Sequence, residues 1–158
     1  VRRTPLFPML PRLGIRMFLP KQMDNVVYAG YGPVESYADK HHASFYGRFE
    51  AKTMDLHEDY LRPQENGSHF GCDFVTVSGF EHSLSAVGQG FSFNASPYTQ
   101  EELTEKTHSY LLEESGYTVL CLDYAQNGIG SNSCGPRPLP EHLFEDAEIN
   151  LAYRISLA

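Results

Sequence analysis

Tyr117-Thr118-Val119-Leu120-Cys121-Leu122-Asp123-Tyr124-Ala125 is the run from which the fold can be read. Side chains alternate across a strand, so Thr118, Leu120, Leu122 and Tyr124 share one face and Tyr117, Val119, Cys121 and Asp123 the other. The run predicts a strongly buried strand, with Cys121 as a small core residue. Working outward, the same period recurs. In residues 13–19, Leu13, Ile15, Met17 and Leu19 alternate with Gly14, Arg16 and Phe18. Residues 26–31 read as a second strand, ended by Gly32-Pro33. Residues 44–51 set Phe45, Gly47 and Phe49 against Tyr46, Arg48 and Glu50. Residues 70–80, 84–87 and 90–94 supply short strands, broken at Gly79 and Gly88. Residues 147–157 close the chain as a strand with Ile149, Leu151, Tyr153, Ile155 and Leu157 on one face.

Between these runs the chain is loop-like. Pro5, Pro8 and Pro11 keep the first dozen residues extended. Residues 34–40 read as a turn or a single helical turn, and residues 53–59 as an acidic loop. One helix is signalled near 99–107: Thr99 and Glu102 form a capping box, in which each side chain satisfies the other residue's amide. Pro97 stands just before it, and Glu101 and Glu102 suit the positive end of the helix dipole. The expectation is a single domain over 1–158, all-β and mainly antiparallel, with one short helix.

Composition narrows the function classes. With 158 residues, 41% of them hydrophobic, the chain can bury one core and is not disordered. Its 13 Gly and 10 Pro favour many short strands over long helices. A formal net charge of −8 repels a phosphate backbone, which argues against a nucleic-acid partner. No apolar run approaches the ~20 residues that span a bilayer. No charged, apolar, small-residue leader opens the chain, so no signal peptide is expected. Cys72, Cys121 and Cys134 are odd in number and lack metal-type spacing. They read as free thiols, in keeping with a reducing, cytoplasmic setting or simply with unpaired residues in a periplasmic or exported protein. His41-His42 is a poor chelate, since neighbours on a strand point apart. No Gly-x-Ser-x-Gly, Gly-rich phosphate loop or His-Glu-x-x-His occurs.

Five segments, in order, carry a family signature. They are Leu10-Pro11-Arg12-Leu13-Gly14; Tyr31-Gly32-Pro33-Val34-Glu35-Ser36-Tyr37-Ala38-Asp39-Lys40; Arg62-Pro63-Gln64-Glu65-Asn66-Gly67; the stretch at 91–103; and Asp123 with the Gly-rich loop at 127–136. Together they resemble the carboxy-terminal, small-chain region of family 2 glycoside hydrolases of the β-galactosidase type. His108 also falls where such proteins usually carry a histidine. The chain departs from the pattern at Ser36, Ala38 and Lys40, where Asn, Pro and Arg are common. It departs again at Ser68 and His69, where Asn and Arg are typical, and it has no Trp.

The resemblance implies part of a large β supersandwich (galactose mutarotase-like). It also implies a retaining enzyme that cleaves terminal β-D-galactosides with catalytic glutamates on a separate barrel domain. No catalytic residue is then expected in this chain. Mg and Na would sit in the catalytic domain, with no cofactor and no metal here. The partners implied are the rest of the enzyme chain and a galactoside substrate. The start at Val1 without Met fits excision from a longer protein, and strand edges exposed by such a cut would favour self-association.

Retaining glycosidases need two carboxyl groups about 5 Å apart. Glu35 and Glu65 both lie in motif loops, but a loop carboxylate more often accepts backbone amides and fixes a turn. Tyr28, Tyr31, Tyr37, Phe45 and Tyr46 could stack on a sugar ring; at alternating positions they more often pack in the core. In relatives the loop at 127–136 presents a Trp to the leaving-group side of the substrate. The resemblance puts Cys134 at that position, so Asn132 and Cys134 are the candidate substrate-binding residues. A purely structural Gly-rich turn stands level with that reading. A free-standing carbohydrate-binding or subunit-assembly module, and one subunit of a two-chain enzyme, are the alternatives.

Overall fold

The computed structural model describes residues 10–127, 129 and 138–158. Among the described residues seven strands form one antiparallel sheet: β1 (Arg12–Pro20), β2 (Asn25–Gly32), β3 (Phe45–Lys52), β4 (Ser68–Gly79), β5 (His82–Ser96), β6 (Tyr117–Gln126) and β7 (Arg154–Leu157). The order across the sheet is β1-β6-β5-β4-β2-β3, with β7 beside β5. β5 changes neighbour along its length. Its first part, around Leu84 to Val87, pairs with β7, and its last part, Ser92 to Ser96, pairs with β6. The chain is thus all-β and antiparallel, with one α-helix among the described residues, α1 (Gln100–Glu105).

The expected break at Gly88 does not occur. β5 runs unbroken through Gly88 and Gly90, and the strain appears as register shifts against β4 on either side of Cys72. Bulges absorb an extra residue without ending a strand. Gly90 has φ +63°, which a bulge tolerates in glycine. The expected strand at 147–157 is also corrected, since only Arg154–Leu157 joins the sheet. Ile149 is buried, whereas Ile155 and Leu157 are 41% and 77% exposed. The alternation is present in the letters, but the covered residues of that face, Ile149 and the partly buried Tyr153, lie before the paired segment, and the exposed Ile155 and Leu157 lie within it. Within 53–59, Thr53–Leu56 forms a 3-10 turn that buries Leu56.

The core draws chiefly on β2, β4, β5 and β6. Val26, Tyr28, Val75, Val77, Phe91, Phe93, Leu120 and Leu122 are all essentially inaccessible. Each buried Val, Leu or Phe side chain contributes about 1.5–3 kcal/mol. β6 is buried on both faces from Thr118 to Asp123, as the apolar run predicts. At α1, Thr99 Oγ1 accepts the Glu102 amide at 3.1 Å. The reciprocal half of the capping box is replaced: Glu102 Oε1 accepts the Glu113 amide at 2.8 Å and pairs with Lys106 at 3.3 Å. Glu102 therefore ties the helix to the segment leading into β6.

Candidate functional site

Antiparallel pairing gathers the motif segments at one end of the sheet. The start of β1 faces the end of β6, where Arg12 pairs with Gln126. The start of β4 faces the end of β5, where Ser68 pairs with Asn94. Gly32, at the end of β2, leads into the turn at 33–40 beside Ser68. The Ser36 amide donates to the Ser68 carbonyl at 2.7 Å, and Ser36 Oγ donates to the Tyr31 carbonyl at 2.9 Å. Gln126 Nε2 donates to Ser68 Oγ at 2.9 Å.

Glu35 joins the two motif loops. It is 5% exposed, too buried for a carboxylate without partners. Its Oε2 accepts the Gly67 amide at 2.9 Å, and its Oε1 receives the Lys40 ammonium and the Tyr60 hydroxyl in short contacts. Burial alone would lower Lys40, but its bonds to Glu35 and Tyr60 hold it above the usual lysine range. Asn66 fixes the neighbouring turn. Its Oδ1 accepts the Glu58 amide at 3.0 Å, its Nδ2 donates to the Gln64 carbonyl at 2.9 Å, and Asn94 Nδ2 donates to its carbonyl.

A second polar group lies beside it. Arg12 grips Asp123 through two bonds, Nε to Oδ1 at 2.9 Å and a terminal nitrogen to Oδ2 at 2.6 Å. Its other terminal nitrogen reaches Glu65 Oε2 at 3.2 Å. A bidentate guanidinium matches the carboxylate fork, which stabilises Asp123 at 2% exposure. Burial pushes the Glu65 carboxyl up, while Arg12 pulls it back. Glu65 Oε1 is buried and has no hydrogen-bond partner among the described residues. Gly14 permits the close approach of β1 here, since a Cβ would lie 2.2 Å from Asp123 Oδ1. Arg12, Glu65, Gln100, Thr104 and Asp123 line an open cleft of about 660 Å³.

The sequence pattern did not reveal these partnerships. A lone carboxylate inside the apolar run at 117–125 was the available signal, because a buried charge requires a partner. Nothing local marks Arg12 as that partner across 111 positions.

The loop at 127–136 leaves this same end. The Asn127 amide donates to the Pro11 carbonyl at 2.9 Å, and Asn127 Oδ1 accepts the Phe144 amide at 2.7 Å. The Ile129 amide donates to Asp39 Oδ1 at 3.1 Å, which links the loop to the turn at 33–40. Asn132 and Cys134 lie outside the described residues.

The pattern of the beta galactosidase small chain matches residues 1–157. The chain belongs to that family. It is 48% identical over 153 residues to the beta-galactosidase of Actinobacillus pleuropneumoniae, covering 97% of this chain and 15% of that protein. The beta-galactosidase of Staphylococcus xylosus is 43% identical over 150 residues, 94% of this chain and 14% of that protein. The beta-galactosidase of Kluyveromyces lactis is 30% identical over 151 residues, again 94% and 14%. The chain thus spans about a seventh of the length of these relatives.

The candidate aromatic residues divide by burial. Tyr28 and Tyr37 are core residues, at 0% and 2% exposure. Phe45 and Tyr46 are 63% and 50% exposed. Tyr31 lies between these extremes, with its ring centroid 5.5 Å from His41 and 6.1 Å from both Tyr46 and Phe70. His41 and His42 do not point apart as expected. They sit in the turn before β3 rather than on a strand, and their ring centroids are 5.1 Å apart. Among the described residues no group of three or more His, Cys, Asp or Glu could hold a metal ion. Cys72 and Cys121 are buried free thiols. Burial pushes the Cys121 thiol up to about 12, which keeps it protonated and unreactive. No described helix is long and apolar enough to cross a membrane.

Proposed function

We propose that this chain is the carboxy-terminal part of a retaining β-galactosidase that hydrolyses terminal β-D-galactosides, and that it frames the active-site mouth. One observation carries the reading. The loop at 127–136 starts from a sheet end where Pro11 and Asp39 hold its first residues, in a chain whose relatives bear that enzyme's name. In the whole enzyme the chain belongs to a β supersandwich packed against the barrel domain. Asn132 and Cys134 then lie on the leaving-group side of the galactoside.

The chemistry belongs elsewhere in the polypeptide. Retention needs one carboxylate free to attack the sugar and a second to protonate the leaving group, about 5 Å apart. Glu35 spends both oxygens on Lys40, Tyr60 and Gly67, and Glu65 spends one on Arg12. Neither is poised as a nucleophile. The barrel domain supplies both glutamates, together with the sites for Mg and Na.

The test is nitrophenyl β-galactoside hydrolysis. The chain alone should release no nitrophenol. In the intact enzyme Glu35→Gln should keep kcat within about tenfold of wild type, whereas losing a nucleophile costs on the order of 10⁴–10⁶. Turnover by the isolated chain that disappears in Glu35→Gln or Glu65→Gln would overturn the reading.

A further inference from the structure

An aromatic surface lies close in the chain to the loop anchor, and it includes Tyr31 and Tyr46, two of the five aromatic residues that could stack on a sugar ring. Tyr31 on β2 stands opposite Tyr46 on β3 in the strand register. Phe70 on β4 and His41 in the turn complete the cluster, and the His41 and Phe70 rings stack at 5.5 Å. The rings are held in place. Gly71, at φ +65°, brings its backbone against Tyr31, with a would-be Cβ 3.2 Å from the Tyr31 ring. His41 Nδ1 donates to the Tyr37 carbonyl at 3.0 Å, which leaves Nε2 as an acceptor. The Tyr46 hydroxyl donates to Asp73 Oδ2, and Asp73 is exposed.

Such a surface combines apolar ring faces with acceptors at their edges. A pyranose is its complement, since it offers an apolar C–H face and a rim of hydroxyl donors. The Tyr46 hydroxyl holds one oxygen of the exposed Asp73 carboxylate, which leaves the other oxygen as an acceptor at the rim. The cluster is also close in the chain to the candidate site. Asp39, which holds the Ile129 amide, is two residues before His41.

We infer that Tyr31, His41, Tyr46 and Phe70, with Asp73 at the rim, form a platform for a sugar ring of an extended leaving group. The substrate class is β-galactosides whose leaving group has two or more sugars. The inference rests on the reading that the loop at 127–136 lies on the leaving-group side. It adds a second ring-binding surface to that side, built from β2, β3 and β4 rather than from the loop.

The experiment compares a galactose-terminated trisaccharide with nitrophenyl β-galactoside on the intact enzyme. It uses wild type, Tyr46→Ala and Asp73→Asn. The expected result is that the ratio of trisaccharide KM to nitrophenyl-galactoside KM rises about tenfold in Tyr46→Ala and about threefold in Asp73→Asn. The inference is overturned if the ratio stays constant in both variants. That includes the case where both KM values and the Tm change together, which marks the surface as covered by protein. A wild-type enzyme that leaves nitrophenyl β-galactoside intact defeats the underlying reading instead, so the two failures are distinct.

Discussion

At the scale of the residue, His69 and Gly67 carry the clearest consequences. His69 is 1% exposed, with its ring 4.4 Å from Tyr28 and 5.1 Å from Phe93. Its Nδ1 donates to the Tyr31 carbonyl at 3.2 Å, while Nε2 is buried with no partner among the described residues. Burial pulls its pKa down to about 4, the Tyr31 bond opposing. The folded state therefore stays neutral where the unfolded chain, near 6.5, takes up a proton. Stability is full above about pH 6.5 and is lost progressively as pH falls toward 4. Between pH 7 and pH 5 the loss should be about 2 kcal/mol, read from urea unfolding midpoints. His69→Gln should remove most of that slope, and an unchanged slope would show that His69 is not its source. Gly67 has φ +69°, and a Cβ there would lie 2.4 Å from the Leu56 carbonyl oxygen. Gly67→Ala should therefore cost at least about 1 kcal/mol and lower Tm, because it strains the turn whose amide satisfies Glu35. A Tm within error of wild type would contradict this.

At the scale of the element, the strand edges matter most. β1 and β3 are the outer strands of the sheet, each with one partner among the described strands. Both carry exposed apolar side chains, Ile15 and Phe18 on β1 and Phe45 and Tyr46 on β3. An unpaired edge with such residues recruits another strand. The isolated chain should therefore self-associate at high concentration in sedimentation velocity, and Phe45→Lys should shift it toward monomer. A clean monomer at high concentration for the unsubstituted chain would refute that. α1 teaches a related lesson about local signals. Thr99 caps the helix as its sequence predicts, but Glu102 reaches across to Glu113. A capping box satisfies an amide locally, and here a more distant amide competes for the same carboxylate.

At the scale of the whole molecule, alternation makes the strands legible in the sequence. Side chains on a buried strand must alternate, so the runs at 13–19, 26–31, 44–51 and 117–125 carried their own signal. The motif loops were legible as turns for a similar reason, since Gly-Pro and Asn-Gly constrain the backbone locally. Three features depended on the tertiary fold. The continuity of β5 through Gly88 and Gly90 depends on neighbours that absorb the bulge. The start of β7 at Arg154 depends on where β5 offers a free edge, since Arg154 to Leu157 pair with Leu84 to Val87. The partners of Glu35, Asp123 and Glu65 depend on which loops the antiparallel register brings to one end. The sequence by itself determined an all-β chain and the places where its backbone turns, because dihedral preference and side-chain period are properties of neighbouring residues. Only the tertiary structure decided that Arg12 neutralises Asp123 and that Asp39 anchors the loop at Ile129. Those pairs lie 111 and 90 positions apart, and no local rule of chain chemistry spans such a separation.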